Sequence, residues 1–202
     1  MESKKYLAGY IAGGLLLINS VKAAELFIEY KDWQIVKDNI LKNNIFQLRT
    51  KSALSRICSE VISRLKHLST NELEFLVIAV YQEQGYLLWI AICRRYKIIA
   101  EFALEVLRAN FLKMDLTLYS ESFDFFFESK VEYNPELESI RDSTKYKMKQ
   151  VLFKMLKEAE IVNEVNLINQ IFISKDFYRA IQQDKKEDIL YLPIYEPNAK
   201  GI

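Results

Sequence analysis

Between Arg49 and His67 the chain reads RTKSALSRICSEVISRLKH, where small hydroxyls and cations alternate with an apolar edge. Leu54, Ile57, Cys58, Val61, Ile62 and Leu65 recur at spacings of three and four, which puts them on one face of a helix. Ser52, Ser55, Arg56, Ser59, Ser63 and Arg64 fall largely on the other faces. Small hydroxyl side chains let a helix backbone approach a second surface, and Arg and Lys then reach phosphates. Five cations, Arg49, Lys51, Arg56, Arg64 and Lys66, stand against Glu60, a net +4. This is the make-up of a DNA-facing helix, and many ordinary surface helices share it.

No catalytic constellation accompanies it. The chain lacks a Gly-rich phosphate loop, so a P-loop or dinucleotide fold is unsupported. One histidine, His67, and no Gly-x-Ser-x-Gly remove the usual nucleophile triads. Asp124, Glu128 and Glu132 follow i, i+4 spacing and read as a solvated acidic stripe rather than a catalytic or metal-binding pair. Cys58 and Cys93 sit far apart in apolar helical patterns, which fits reduced, buried thiols and not a zinc site. The expectation is a non-enzymatic protein with no cofactor and no metal.

Half of the 202 residues are hydrophobic, so a folded core is expected. Five Gly and three Pro supply few turns for a many-stranded β protein, and the balance favours long helices. The net charge of +1 draws the molecule to nowhere in particular, but the charge is patterned. Lys42 to His67 carries +5, Asp115 to Asp142 carries −6, and Lys145 to Lys157 carries +5. A neutral average can hide a basic face. The uncharged run Tyr6 to Val21, with its Gly9-x-x-x-Gly13, is about 16 residues long and too short to span a bilayer. The apolar run Gly85 to Met114 is cut by Arg94, Arg95, Lys97, Glu101 and Glu105. Both read as buried segments of a cytoplasmic protein without a membrane role.

The spacing predicts a helix from about Gly14 to Tyr30 and a second from Trp33 to Asn43, capped by Asp32 and stopped by Asn43-Asn44. The basic helix then starts near Thr50 or Ser52. Three helices with the third one basic follow the helix-turn-helix order. The connection exceeds the minimal turn of that motif, which fits a looser winged-helix variant or no such motif. Ser69 and Glu72 form a capping box for a short helix to Val80. Gln82–Gly85 reads as a boundary, dividing a unit of residues 1–82 from one of residues 83–202. A long central helix is expected over Tyr86 to Met114, with Arg94 and Arg95 paired to the acidic segment or solvated. Phe123, Phe125, Phe126 and Phe127 form an aromatic cluster that reads as core. Asp142-Ser143-Thr144 caps a second basic helix, to about Ala159, with Met148, Val151, Leu152, Met155 and Leu156 inward and Lys145, Lys147, Lys149, Lys154 and Lys157 elsewhere. Ile161-Val162 and Asn169 to Ile173 then read as a small β-hairpin, the wing of a winged helix. A last helix from Lys175 to Gln183 is capped by Ser174, and Ile189 to Tyr195 is a strand or a docked extension.

The chain resembles the BrxA family, small accessory proteins of bacterial BREX phage-exclusion systems. The matching pieces are Asp32-Trp33, Asn44 through Arg49-Thr50, and Arg56 through Arg64-Leu65. LLWIAICRRYKIIAEFALEVLRANF from Leu87 to Phe111 matches too, as does Asp142-Ser143-Thr144 followed by VLFKMLKEAEI at Val151 to Ile161. The likeness covers roughly Tyr6 to Phe177 and holds no catalytic motif. It implies a cytoplasmic, mostly helical, non-enzymatic protein working beside a methyltransferase, an ATPase and an alkaline-phosphatase-like protein. The family has also been described as inner-membrane proteins and likened to an RNA-binding antitermination factor, which keeps RNA open as a ligand.

The combined reading is a mainly α protein with two helix-turn-helix or winged-helix-like units around a long central helix. It predicts an accessory factor that binds double-stranded DNA. Arg49, Thr50, Lys51, Ser52, Ser55, Arg56 and Ser59 would face DNA from the first unit, and Lys145, Lys147 and Lys149 from the second. Most of these contacts would reach phosphates. The alternatives are a protein-interaction scaffold that docks other defence proteins through the acidic Asp115–Asp142 segment, and an RNA-binding adaptor.

Overall fold

The computed structural model describes residues 13–181 and 183–195. Helices α1 (Leu17–Tyr30), α2 (Trp33–Asn43) and α3 (Lys51–Leu65) pack against one another. Their ends are written in local chemistry. The Asp32 carboxylate accepts hydrogen bonds from the backbone N–H of Gln34 (2.6 Å) and Ile35 (3.2 Å), which satisfies two orphan donors of α2. Asn44 closes α2 in the left-handed region, φ 46°. Its side chain then brackets the connection, donating to the Leu48 carbonyl and accepting from the Leu48 N–H, each at 3.0 Å. The Thr50 hydroxyl accepts from Ala53 N–H at 3.2 Å and starts α3.

Helix α4 (Thr70–Ile78) carries the expected capping box of Ser69 and Glu72. Helix α5 (Tyr81–Arg95) begins before the boundary expected at Gln82–Gly85 and runs through it. Gly85 is buried there, so close to the end of α10 that a Cβ would stand 3.3 Å from the Ala159 Cα. It marks a close helix approach, not a linker, and buried apolar residues on both sides of residue 82 belong to one cluster.

The long central helix is interrupted. Tyr96 is extended (φ −113°, ψ 101°) between α5 and α6 (Lys97–Phe102). Its N–H closes α5 on the Ile92 carbonyl, and its own carbonyl accepts from Ile99 and Ala100. Neither Gly nor Pro marks the break. A π-helical turn, Ala103–Arg108, and α7 (Ala109–Leu112) complete the second half. Helix α8 (Glu121–Val131) buries Phe123, Phe126 and Phe127 and leaves Phe125 exposed. The short α9 (Pro135–Glu138) follows. Helix α10 (Asp142–Glu158) starts after Arg141, so Asp142 lies in its first turn rather than at the cap. Its apolar face of Met148, Val151, Leu152, Met155 and Leu156 is buried as the periodicity requires.

The expected β-hairpin wing does not form. Among the described residues only isolated antiparallel bridges occur, Val162 with Ile168 and Thr117 with Leu167. The Asn163 side chain accepts from Val165 N–H (3.0 Å) and Leu167 N–H (2.9 Å) and ties the segment into a turn, so only two backbone bonds, Asn163 N–H to the Leu167 carbonyl and Asn169 N–H to the Ile161 carbonyl, flank the bridge. Leu118 N–H donates to the Asn166 carbonyl and Ile168 N–H to that of Leu116, so a segment before α8 pairs along the other edge.

Helix α11 (Lys175–Ala180) starts on the Ser174 cap and is shorter than its expected range. A 3-10 stretch, Gln183–Tyr191, leads into buried Leu192 and Ile194. The terminal segment is thus a docked extension: Trp89 donates to the Tyr191 carbonyl (2.9 Å) and Arg108 to that of Ile194 (2.6 Å). No helix among the described residues is long and apolar enough to cross a membrane. Tyr6–Ala12 of the N-terminal apolar run, with Gly9 of its GxxxG, lies outside them.

Candidate nucleic-acid interface

The local pattern that makes α3 a helix also sorts its side chains. Leu54, Cys58, Val61, Ile62 and Leu65 are buried. Arg49, Thr50, Lys51, Ser52, Ser55, Arg56 and Ser59 are all exposed. The structure therefore leaves the whole first set of expected residues open to solvent, on α3 and just before it. Thr50 is engaged as the helix cap, and Ser63, half-buried, donates back to the Glu60 carbonyl at 2.8 Å. No ion pair with a described residue holds Arg49, Lys51, Arg56 or Lys66.

Two charges counted with this surface belong to the interior. Glu60 and Arg64 are buried and paired at 2.7 Å. Arg64 also donates to the Gly14 carbonyl at 2.7 Å, and the Tyr96 hydroxyl donates to Glu60 at 2.6 Å. Burial, then the Glu60 hydrogen bond, push the Tyr96 hydroxyl up to about 12. This network fastens α3 to the α5–α6 break and to the chain entering α1. It also removes the only carboxylate of α3 from the solvent face. The i, i+4 spacing of Glu60 and Arg64 was visible in the sequence. Its direction, inward, was not.

A second internal network involves Arg94, which is neither solvated nor paired to the Asp115–Asp142 segment. It donates to both Glu72 oxygens at 2.8 Å, to Asp188 at 2.6 Å and to the His67 carbonyl at 3.0 Å. Glu72 also accepts from Ser69 N–H at 2.7 Å, so the capping carboxylate is an ion-pair partner as well. Burial acts to raise the Glu72 carboxyl, but the Arg94 and Ser69 hydrogen bonds prevail and hold it below its usual range. Arg95 lies over the Tyr96 ring, 5.0 Å from its centre. Beside Arg94 is a cavity of about 350 Å³ lined by His67, Cys93, Lys97, Lys185, Asp188 and Tyr191. Burial raises the Cys93 thiol well above its usual value, so it is not a ready nucleophile. Cys58 and Cys93 are free and buried.

The second set of expected DNA-facing residues fares differently. Lys145 pairs with Glu128 at 3.2 Å and Lys149 with Asp124 at 2.7 Å, across from α10 to α8. Lys147 alone of the three is exposed, and no described carboxylate pairs with it. Farther along α10, Lys154 meets Glu158 at 3.6 Å and Lys157 meets Glu164 at 3.7 Å. The Glu158 carboxylate also accepts from Leu15 N–H at 2.5 Å and fills the space where Gly14 would carry a Cβ. The Asp124–Glu128 stripe is thus an inter-helix clamp. No group of three or more His, Cys, Asp or Glu among the described residues is placed to hold a metal ion.

The chain is similar to known proteins. A BREX protein BrxA from Bacillus cereus (strain H3081.97) is 29% identical over 146 residues, which is 71% of this chain and 72% of that protein. A BREX protein BrxA from Escherichia coli O9:H4 (strain HS) is 24% identical over 191 residues, 94% of this chain and 90% of that protein. The crystal structure of an uncharacterized protein from Magnetospirillum magneticum has the same fold, with a TM-score of 0.78 at 18% identity, covering 94% of this chain and 98% of that one. The BrxA family model matches residues 4–185. The chain is a member of the BrxA family.

Proposed function

We propose that this protein is a non-enzymatic accessory factor of a BREX phage-defence system that binds duplex DNA through α3. One observation carries this reading: the solvent face of α3 presents hydroxyls and cations and no carboxylate, because Glu60 is turned inward. The BREX designation of the two relatives supports the biological setting. In this reading α1, α2 and α3 act as a helix-turn-helix-like unit with α3 outermost. Arg49, Lys51 and Arg56 neutralise phosphates, while Ser52, Ser55 and Ser59 let the helix come close and donate to phosphate oxygens. Lys147 adds a contact only if the duplex also reaches α10. Few contacts of these types read bases, so modest sequence preference is expected.

Fluorescence anisotropy with matched duplex DNA, single-stranded DNA and RNA tests the reading. Duplex DNA should bind tightest. With about four to six phosphate contacts, log affinity should fall against log salt with a slope near −4 to −5. A flat salt response, or equal loss of all three ligands' binding only when α10 is altered, would remove α3 from the proposal. Tighter binding of RNA would favour the adaptor reading instead.

A further inference from the structure

A groove of about 400 Å³ runs between the π-helical turn with α7 on one side and α8 on the other. Val106 and Phe126 form its apolar floor, and Asn110, Ser122 and Ser129 its low walls. Phe126 is fixed by an edge-on contact with Phe102, ring centres 5.3 Å apart. At the rim stands Phe125, 72% exposed although Phe123, Phe126 and Phe127 around it in sequence are buried. Ser122, Phe125 and Ser129 recur at three and four residues, so one stripe of α8 faces the groove. The π-helical turn on the opposite wall widens the helix where Glu105 and Val106 line the groove, a device common at binding sites.

The exposed edge of α8 beside the groove carries carboxylates. Glu105 stands on one side; its side chain is 50% exposed while that of its partner Lys130 is 16% exposed. On the α10 side, Glu128 is 68% exposed and its partner Lys145 21%. The ammonium groups of Lys130 and Lys145 lie instead over the rings of Phe126 and Phe127, at 5.3 and 5.2 Å. These two pairs are close to neutral in sum, so the net negative charge along this edge is that of exposed Glu121 and Glu132, at either end of α8, which no described cation pairs. DNA is repelled by such a rim. A polypeptide with cations on its flanks and apolar anchors between them complements it.

We propose that this groove docks a basic amphipathic helix of a partner protein, with apolar side chains against Val106 and Phe125 and Lys or Arg over Glu121 and Glu132. The site is separate from α3 and stands or falls apart from the DNA reading.

The test uses the full chain and a fluorescein-labelled basic amphipathic peptide of about five helical turns, Leu on one face and Lys elsewhere. A peptide with Glu in place of each Lys is the charge control. Phe125→Glu should weaken binding by about tenfold or more, as for an interface anchor. Ser122→Arg, which obstructs the groove while Phe125 itself is kept, should do the same. Phe125→Leu and Phe172→Glu, the latter at an exposed aromatic elsewhere, should bind like wild type. DNA affinity should be unchanged in all four, and Lys51→Glu/Arg56→Glu should lose DNA but keep the peptide. Equal binding of the Glu peptide, unchanged binding by Phe125→Glu, or equal loss in Phe172→Glu would overturn the proposal. A wild-type dimer in sedimentation that Phe125→Glu splits would overturn it too, since a second copy would then be the occupant.

Discussion

Helix α3 turns its one carboxylate inward, whereas α10 rests two of its lysines on carboxylates of a neighbouring helix. Along the sequence both regions count as strongly positive. On the surface they differ, because a charge acts on a ligand only after its nearest partners are subtracted. In α3 the acid is neutralised internally by Arg64, and Lys51 and Arg56 have no described carboxylate beside them. In α10 the partners come from α8, about twenty residues earlier. Local charge counts foresee neither outcome, since both depend on which element packs alongside.

The largest expected effect comes from breaking the internal anchor of α3. Arg64→Met should cost about 3–5 kcal/mol, because it leaves Glu60 buried without its countercharge. Urea unfolding followed by circular dichroism measures this, and a loss below about 1 kcal/mol would mean the network does not hold α3 in place.

Charge reversal on the two helices compares them directly. Lys51→Glu/Arg56→Glu should weaken duplex binding roughly a hundredfold with the helical content intact, since two attractions become repulsions. Lys145→Glu/Lys149→Glu should change DNA affinity by less than about threefold. Its main effect should be a stability loss of about 1 kcal/mol as it sets like charges against Glu128 and Asp124. If the α10 variant loses binding more severely than the α3 variant, the assignment of the reading helix reverses.

Acid should separate the internal from the surface pairs by a smaller margin. Glu72 has a lowered carboxyl in the folded state, so its contribution is present above the usual 4.5 and fades as pH falls from there through its folded value. Hydrogen exchange should therefore report opening around α4 and the docked 3-10 stretch as pH drops below 4.5. Glu72→Gln should be less stable at neutral pH and show a shallower acid slope. Equal slopes for the two proteins would mean that another group governs the acid response.

The sequence alone determined the helical class, the limits of α2, the start of α3 to within Thr50–Ser52, the Ser69–Glu72 box and the apolar face of α10. These are set by side chains within a turn of one another, so their physics is local. It also singled out α3 as the helix with hydroxyls and cations on its outer edge. Tertiary structure alone decided the rest. The break at Tyr96 has no Gly or Pro to announce it and is held by a hydrogen bond to Glu60, 36 residues away. The expected wing shrinks to a single bridge, Val162 with Ile168, because the Asn163 side chain takes the Leu167 N–H and closes the turn there. Gly85, a plausible linker residue, is where α5 meets Ala159. Arg64, Arg94, Lys145 and Lys149 found partners on other elements or turned inward. A charged side chain reaches solvent, a partner or the core according to what packs beside it, and that neighbour is distant in sequence.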